Sequence, residues 1–378
     1  MLGMLTLVLV QGWQQCVPMN TPGYAFACAA VGSRVYAIGG LVSDSVPRNV
    51  VEAYDVPADS WILEFTPPPG PRWYAGCAAL DGKIYVVGGT DGNADLSRVD
   101  RFDPSTNTWD TVAPLPWPRS SLAGCEYGGR VYAIGGYSTT LGFQRTVARF
   151  TPDSGMGHWD VADSLITRRA NSAAAVAAGW MCAVGGTYFS TLVSYEVSGG
   201  GPWIKSGRHM KSARSGAAAV GYGEWLCAIG GQNKDGPLSS VEIVSMVDLL
   251  GDSWDYIPQM SVPRAFCGAA VVDTWIIVIG GRGNHGAEPS VERGSVGLFP
   301  GVEEPLGQTQ PRNVRSWATV ASDRVHIDCR SAAIYDGSGR RVFAGSGPVD
   351  VRLAPGVYFA RVTDRDDRSM TGTITVVR

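Results

Sequence analysis

Five arginines occupy one fixed position of a repeated sequence pattern. Each stands sixteen residues before the first glycine of a double glycine, and they are Arg72, Arg119, Arg169, Arg214 and Arg264. A guanidinium is planar and always charged, and it binds carboxylates or sulfate through paired, charge-assisted hydrogen bonds. If the repeats surround an axis, these arginines form a ring at one mouth of a central channel and bind an acidic ligand. The structural alternative is that each arginine satisfies backbone carbonyls between repeats.

The segments that follow the double glycines differ most from repeat to repeat. A binding site on a symmetric scaffold needs such differences, and loops on a rigid scaffold often carry recognition. The candidate ligand-binding residues in these loops are Asp91, Asp95, Asn233, Asp235, Arg282 and His285. For any one of them, ordinary solvated loop charge is the alternative.

The inventory of catalytic groups is small. The chain has four histidines and lacks a His-Glu-x-x-His motif, a nucleophile elbow and a phosphate loop. We therefore predict no catalytic residue, no metal and no cofactor. Glu126, on a strand where the other repeats are apolar or glycine, is the nearest candidate for acid–base chemistry.

Charge and hydropathy argue against a nucleic-acid partner and against a transmembrane helix. The formal net charge is −3 and no basic cluster is present, so a nucleic-acid partner has no electrostatic support. No apolar run reaches the roughly 18 residues of a transmembrane helix.

The arginines belong to a repeat of close to fifty residues. Six apolar runs end in a double glycine, and the steps between the first glycines are 49, 47, 50, 45 and 50. The pairs are Gly39-Gly40, Gly88-Gly89, Gly135-Gly136, Gly185-Gly186, Gly230-Gly231 and Gly280-Gly281. Glycine suits a strand end that needs positive φ or a close backbone approach. A fixed period of this length predicts a propeller or solenoid.

A tryptophan after a turn is the second landmark of the repeat. The five copies are Trp61, Trp109, Trp159, Trp203 and Trp254. The spacing predicts four short strands per repeat, which make one blade. The sixth repeat lacks its tryptophan strand, and Trp13 stands 48 residues before Trp61. We therefore expect the N-terminal strand to complete the last blade of an all-β, six-bladed propeller over residues 13–297.

The diglycine, an upstream tyrosine and the following tryptophan together resemble the Kelch repeat, over about residues 13–297. The resemblance implies a six-bladed β-propeller in which the arginines lie where the chain crosses from one blade to the next. The segment Pro118–Cys125 is similar to one in Kelch-like ubiquitin ligase adaptors, where some such arginines contact an acidic peptide. The alternative function is that of a sugar isomerase resembling bacterial N-acetylneuraminate epimerase, whose acidic sugar would suit an arginine rim.

Most of the eight cysteines follow the repeat rather than pairing within it. Equivalent positions on neighbouring blades should lie beyond the roughly 7 Å Cα separation that a disulfide permits. We therefore interpret these cysteines as small buried apolar residues.

The two ends of the chain differ from the repeat. Residues 1–12 are mostly apolar, which favours a truncated secretion signal; the alternative is that they belong to the closing strand. Residues 298–317 are rich in proline and glycine and are predicted to be a linker. Residues 318–378 alternate short strands with Gly and Asp turns, which predicts a small β-sandwich.

The tail resembles the type A C-terminal sorting domain of the type IX secretion system. The residues that carry the resemblance are Tyr335, Asp336, Gly339, Arg340, Leu353, Gly356, Val357 and Tyr358. The resemblance implies the type IX machinery as a partner and a secreted or cell-surface location in a didermic bacterium. The alternative is a β-sandwich that only binds or spaces. Our leading hypothesis is a non-enzymatic propeller that binds a protein or an acidic glycan.

Overall fold

The computed structural model describes residues 12–153, 155–186, 194–247 and 254–296, together with seven strands between residues 316 and 376. The chain divides into two units. One comprises Met1–Val244 and Ser253–Glu304, and the other comprises Ser245–Asp252 and Pro305–Arg378. The N-terminal residues 1–11 and most of the expected linker lie outside the described residues.

Six antiparallel sheets of four strands form the first unit, and the prediction of an all-β six-bladed propeller is confirmed. The strands, in order from first to fourth, are Ala27–Val31, Arg34–Ile38, Val51–Asp55 and Ser60–Ile62 in blade 1; Gly76–Leu80, Lys83–Val87, Val99–Asp103 and Thr108–Val112 in blade 2; Ala123–Tyr127, Arg130–Ile134, Thr146–Thr151 and His158–Ser164 in blade 3; Ala173–Ala177, Trp180–Val184, Ser194–Ser198 and Ile204–His209 in blade 4; Ala218–Tyr222, Trp225–Ile229, Val241–Ser245 and Asp255–Ile257 in blade 5; and Gly268–Val272, Trp275–Ile279, Val291–Ser295 and Gln14–Cys16 in blade 6.

The first strands line the axis, and each contacts the first strands of both neighbouring blades around a closed ring. Their side chains are small because the strands converge tightly. A Cβ on Gly124 would lie 2.5 Å from the backbone nitrogen of Cys77, and one on Gly221 would overlap the carbonyl of Val176. The second strands, by contrast, carry the large buried residues between blades, such as Tyr36 and Ile276.

A closed circle of backbone hydrogen bonds joins the six blades where each chain segment enters its first strand. The N–H of each member donates to the carbonyl of the member in the preceding blade, at 2.6 to 2.9 Å. The members are Ala25, Tyr74, Ser121, Asn171, Gly216 and Phe266. All six have φ between 53° and 63°, and five are not glycine. Each non-glycine residue in this region costs about 1 kcal/mol or more, so the circle maintains a strained backbone through its own hydrogen bonds.

The fourth strand of blade 6 comes from the N-terminus of the chain. Gln14 pairs with Arg293 and Cys16 pairs with Val291. Trp13 precedes this strand, and its indole N–H donates to the carbonyl of Pro258 in blade 5 at 2.7 Å. Trp61, Trp109 and Trp159 make equivalent bonds at 2.8 to 3.0 Å, so each of these four tryptophans fastens its blade to the one before it.

Among the described residues, four of the segments that follow the double glycines form short β-hairpins. They are Leu41–Ser43 with Val46–Pro47, Tyr137–Ser138 with Gly142–Phe143, Gln232–Asn233 with Gly236–Pro237, and Arg282–Gly283 with Gly286–Ala287. These hairpins supply the asymmetry on which a binding site can be built.

The described residues of the C-terminal unit form two sheets. The larger has the strand order Ser316–Val320, Ser369–Val376, Gly356–Thr363, Ser331–Tyr335 and Arg341–Ser346; the smaller pairs Arg324–Ile327 with Val349–Arg352. Of the sorting-motif residues, Tyr335, Gly356, Val357 and Tyr358 lie on strands of the larger sheet. Asp336, Gly339, Arg340 and Leu353 lie outside the described residues. The β-sandwich and the sorting role stay predictions.

Seven cysteines fall in the described residues, and each is a free thiol; Cys329 lies outside them. Burial raises the pKa of Cys77 and of Cys125 to about 12. No helix in the described part of the chain is both long and apolar enough to cross a membrane.

Candidate functional site

The crossover arginines lie inside the blades, where at most 4% of each residue is exposed. In blades 3 to 6 the guanidinium Nη1 donates to the carbonyl of the first glycine of the pair, at 2.6 to 3.1 Å. The arginine therefore joins the loop that enters a blade to the end of that blade's second strand. This geometry explains why the spacing of sixteen residues recurs.

Four of these arginines also pair with a buried carboxylate on the third strand of their own blade. The pairs are Arg72 with Asp100, Arg169 with Glu196, Arg214 with Glu242, and Arg264 with Glu292. Each glutamate also accepts two backbone N–H bonds from the entering loop; Glu242, for example, accepts from Lys211 at 2.6 Å and from Ser212 at 2.9 Å. Desolvation lowers the pKa of Arg72 to about 10, and the charge of Asp100 opposes this shift.

These contacts correct the expected position of the arginine ring. The guanidinium groups of Arg72, Arg169, Arg214 and Arg264 bind groups of their own blades, and they do not face an open channel mouth. The geometry favours the structural alternative. Arg119 is also buried but differs from the other four in lacking a carboxylate partner among the described residues.

Blade 1 has the same kind of buried ion pair, but its arginine comes from a different segment of the blade. Gly23 stands at the crossover position, and the guanidinium of Arg48, from the loop after the double glycine, fills the space. Arg48 Nη1 donates to the carbonyl of Gly39 at 3.0 Å, and Nη2 pairs with Glu52. A Cβ on Gly23 would lie 2.7 Å from Arg48 Cδ, so a side chain there would displace Arg48. Sequence reasoning missed Arg48.

An open cleft of about 640 Å³ lies between the hairpin of blade 6 and that of blade 1. Its lining residues are Pro22, Tyr24, Val42, Ser43, Asp44, Arg282, Asn284, His285, Gly286 and Ala287. Two of the predicted loop candidates, Arg282 and His285, meet here. We call this region the blade 6–1 cleft.

Asp44 organises the polar groups of the blade 6–1 cleft. Its Oδ1 accepts a hydrogen bond from the Tyr24 hydroxyl at 2.6 Å, and its Oδ2 accepts one from Arg282 Nη2 at 3.0 Å. The guanidinium of Arg282 also lies 5.7 Å from the centre of the Tyr24 ring. Burial and the hydrogen bond to Asp44 raise the pKa of Tyr24 well above its usual range, so its phenol stays protonated. The Arg282 side chain is still 42% exposed, which leaves it accessible to a ligand.

The remaining loop candidates are not brought to this cleft. Asp91 accepts backbone N–H bonds from Asn93 and Ala94 within its own turn, and these bonds lower its pKa. Asp95 accepts the N–H of Thr139 in the next blade at 2.7 Å.

Asn233 accepts the N–H of Asp235 at 2.8 Å in the blade 5 hairpin. The carboxylate of Asp235 faces solvent beside Lys234. These residues shape their loops, and none of them lines the blade 6–1 cleft.

The structure gives no further support for catalysis. Glu126 Oε1 accepts the N–H of Gly129 at 2.8 Å, so this carboxylate stabilises the turn after its own strand. No cluster of metal-ligating side chains occurs among the described residues. The cleft offers the partly exposed guanidinium of Arg282, the exposed carboxylate of Asp44 and the exposed imidazole of His285, which together suit binding.

Sequence reasoning also missed Tyr24 and Asp44. Tyr24 follows the glycine that replaces the crossover arginine in the first blade, and that departure from the repeat was the available signal. Asp44 lies in the loop after the first double glycine and carried no signal of its own.

The fold and the repeated buried arginine define a six-bladed β-propeller built from one recurring blade. The Kelch motif model matches residues 22–63 and 71–116, which are the repeats of blades 1 and 2.

The chain is similar to Kelch-like protein 35 of Mus musculus, with 35% identity over 127 residues, which is 32% of this chain and 21% of the relative. It is 31% identical over 119 residues to Kelch repeat and BTB domain-containing protein 13 of Homo sapiens, covering 31% and 25%. It is 27% identical over 268 residues to Kelch-like protein 25 of Xenopus tropicalis, covering 68% and 44%. The chain thus spans less than half the length of these relatives.

A solved structure of YjhT superposes with a TM-score of 0.61 at 18% identity, over 73% of this chain and 95% of that one. At this identity the likeness shows the fold alone.

Proposed function

We propose that the chain is a non-enzymatic recognition module whose Kelch propeller binds a protein partner in the blade 6–1 cleft. The observation that carries the proposal is the convergence of Asp44, Arg282 and His285 at one inter-blade position, where the buried Tyr24 holds Asp44 by a hydrogen bond. The crossover arginines are buried within their own blades, and the loop candidates Asp91, Asp95, Asn233 and Asp235 do not line the cleft. The cleft is a place where the symmetry of the repeat is broken with exposed chemistry.

The charge of the cleft favours a polypeptide ligand over an acidic sugar. Arg282 already shares its charge with Asp44, so the cleft presents a cation and an anion side by side. A peptide segment carries both signs and backbone hydrogen-bonding groups, whereas a uronic or sialic acid would compete directly with Asp44 for the guanidinium. An acidic glycan is therefore the second ligand to be tested.

The sugar-isomerase alternative gains no support. It depended on an arginine rim, and those guanidinium groups are buried in the blades. It also depended on Glu126, which is bound in a turn.

Peptide selection on the intact chain tests the binding proposal. The purified protein is panned against a displayed random-peptide library and, in parallel, applied to an array of acidic glycans. Arg282→Ala should weaken the selected peptides roughly tenfold, which corresponds to about 1.4 kcal/mol. Gln232→Ala, at the same repeat position in blade 5, is the matched control and should not change the affinity. Equal binding by wild type and Arg282→Ala, or binding to acidic glycans alone, would contradict the proposal.

We further propose that the C-terminal unit directs the propeller to the surface of a didermic bacterium through the type IX machinery. The support is the ordered set of motif residues from Tyr335 to Tyr358. The full chain and a chain lacking residues 318–378 are expressed in a bacterium that has this system. The truncated chain should accumulate in the periplasm, and equal export of both chains would refute the sorting role.

A further inference from the structure

Blade 3 contains a buried arginine without a counter-charge. Only 1% of Arg119 is exposed, and no carboxylate of the described residues pairs with it. Its Nε and Nη2 are buried without a hydrogen-bond partner, and so is the hydroxyl of Thr146 beside it. A guanidinium cannot lose its proton near neutral pH, so the positive charge persists in this interior.

The missing partner can be traced to one residue. In blades 4 and 6 the carboxylates that pair with the arginine belong to Glu196 and Glu292 on the third strand. Each glutamate lies opposite the second-strand residue that stands two positions before the first glycine of the double glycine. In blade 3 that register position belongs to Ala148, which lies opposite Ala133 and is fully buried. The side-chain atoms beyond Cβ that bind the arginine in the other blades are therefore absent here.

The arginine itself keeps the orientation that it has in the paired blades. Arg119 Nη1 donates to the carbonyls of Gly135 at 3.0 Å and Thr146 at 3.1 Å. Arg264 Nη1 makes the same two bonds in blade 6, and its Nη2 then reaches Glu292 at 2.6 Å. Nη2 of Arg119 is consequently directed at the place that a carboxylate would occupy.

The donors around this place match a small anion. Arg119 supplies Nε–H and Nη2–H, and Thr146 supplies a hydroxyl. The backbone N–H of Trp117 stands at the sequence position from which Val262 donates to the carboxylate in blade 6. A water molecule could accept some of these bonds, but it would leave the buried charge uncompensated, which is strongly unfavourable.

We propose that blade 3 binds a small monovalent anion, of halide or single-carboxylate size, between Arg119 and Thr146 and beside Ala148. The anion takes the role that a built-in aspartate or glutamate has in the other five blades. Desolvation lowers the pKa of Arg119 to about 10, and no neighbouring charge opposes this shift as one does for Arg72. This binding site is independent of the blade 6–1 cleft and of the proposed partner.

Thermal unfolding of the full chain at constant ionic strength tests this inference. The protein is exchanged into sodium gluconate, and gluconate is replaced stepwise by chloride in one series and by acetate in another. Because an anion that binds only the folded state stabilises it, the Tm should rise by about 2–5 °C as the small anion exceeds its Kd about tenfold. The two series distinguish a halide from a carboxylate.

Three variants make the result specific to blade 3. Ala148→Glu supplies a carboxylate to Arg119 and should abolish the anion dependence, and Arg119→Met should abolish it by removing the charge. Glu292→Ala creates the same vacancy in blade 6 and should add a second anion-dependent increment. The proposal is overturned if neither chloride nor acetate raises the wild-type Tm, or if the rise is undiminished in both Ala148→Glu and Arg119→Met.

Discussion

Replacing Glu242 by alanine tests the structural reading of the arginine positions. The Glu242 carboxylate accepts hydrogen bonds from Arg214 Nη2 at 2.6 Å, from the N–H of Lys211 at 2.6 Å and from that of Ser212 at 2.9 Å. Both partners of the ion pair are fully buried. Removing one member of a buried pair leaves an uncompensated charge and costs about 3–5 kcal/mol. With a Tm change of about 2–4 °C per kcal/mol for a large domain, the expected loss is about 6–20 °C.

The assay is thermal unfolding in chloride-free gluconate buffer, so that no small anion can replace the lost carboxylate. Asp110→Ala is the matched control, because Asp110 pairs with Arg101 at 3.0 Å but its side chain is 55% exposed. An exposed pair contributes less than about 1 kcal/mol. A Glu242→Ala variant that unfolds within 2 °C of the control would refute the claim that buried pairs stabilise the blades.

Three other predictions follow from the packing. Trp13→Ala removes the indole hydrogen bond that joins the closing strand to blade 5. Hydrogen exchange should therefore become faster for the backbone amides of blade 6 than for those of blade 3. An equal increase in all blades would contradict a closing role. Burial raises the pKa of Cys125 to about 12. Iodoacetamide at pH 8 should therefore alkylate Cys125 in the unfolded protein but not in the native protein, as measured by mass spectrometry of the tryptic peptide. Rapid labelling of the native protein would contradict this prediction. Gly221→Ala places a Cβ against the carbonyl of Val176 and should cost about 1–3 kcal/mol in urea unfolding. Gly207→Ala, with open space around it, is the control, and equal effects would show that the first strands are not tightly packed.

The repeat made the fold predictable. The six double glycines and the tryptophan spacing determine the number of blades, and the missing tryptophan of the sixth repeat points to Trp13. These inferences succeed because each repeat must bury the same faces against its neighbours, so that the period itself encodes the packing.

The burial of the crossover arginines could not be predicted from their shared position in the repeat alone. A ring of residues at the crossover can face either the channel or the blade. The deciding signal was a second register: Asp100, Glu242 and Glu292 each stand twelve residues after the first glycine of a pair. Two registers of opposite charge predict internal ion pairs, because a charge buried once per blade requires a partner once per blade.

Only two of the polar residues that line the blade 6–1 cleft could be predicted from the sequence. Arg282 and His285 were identifiable as loop residues, but their meeting with Tyr24 and Asp44 depends on the conformation of two hairpins. These hairpins are 241 residues apart in sequence and become neighbours only when the ring closes between blades 6 and 1. Short loops carry few packing constraints of their own, so the sequence does not specify which of their side chains converge.

Departures from the repeat are more informative about function than the repeat itself. The charged interior is satisfied by aspartate or glutamate in five blades, and Gly23 and Arg48 show that the sequence restores the pairing where the usual arginine is lost. Ala148 is not compensated in this way by any described residue. Blade 1 restores its ion pair after losing the arginine, whereas blade 3 does not restore its ion pair after losing the carboxylate, and this difference supports the proposal that the missing negative charge comes from solution. Blade 3 would then be the part of the propeller whose stability depends on the anions around it.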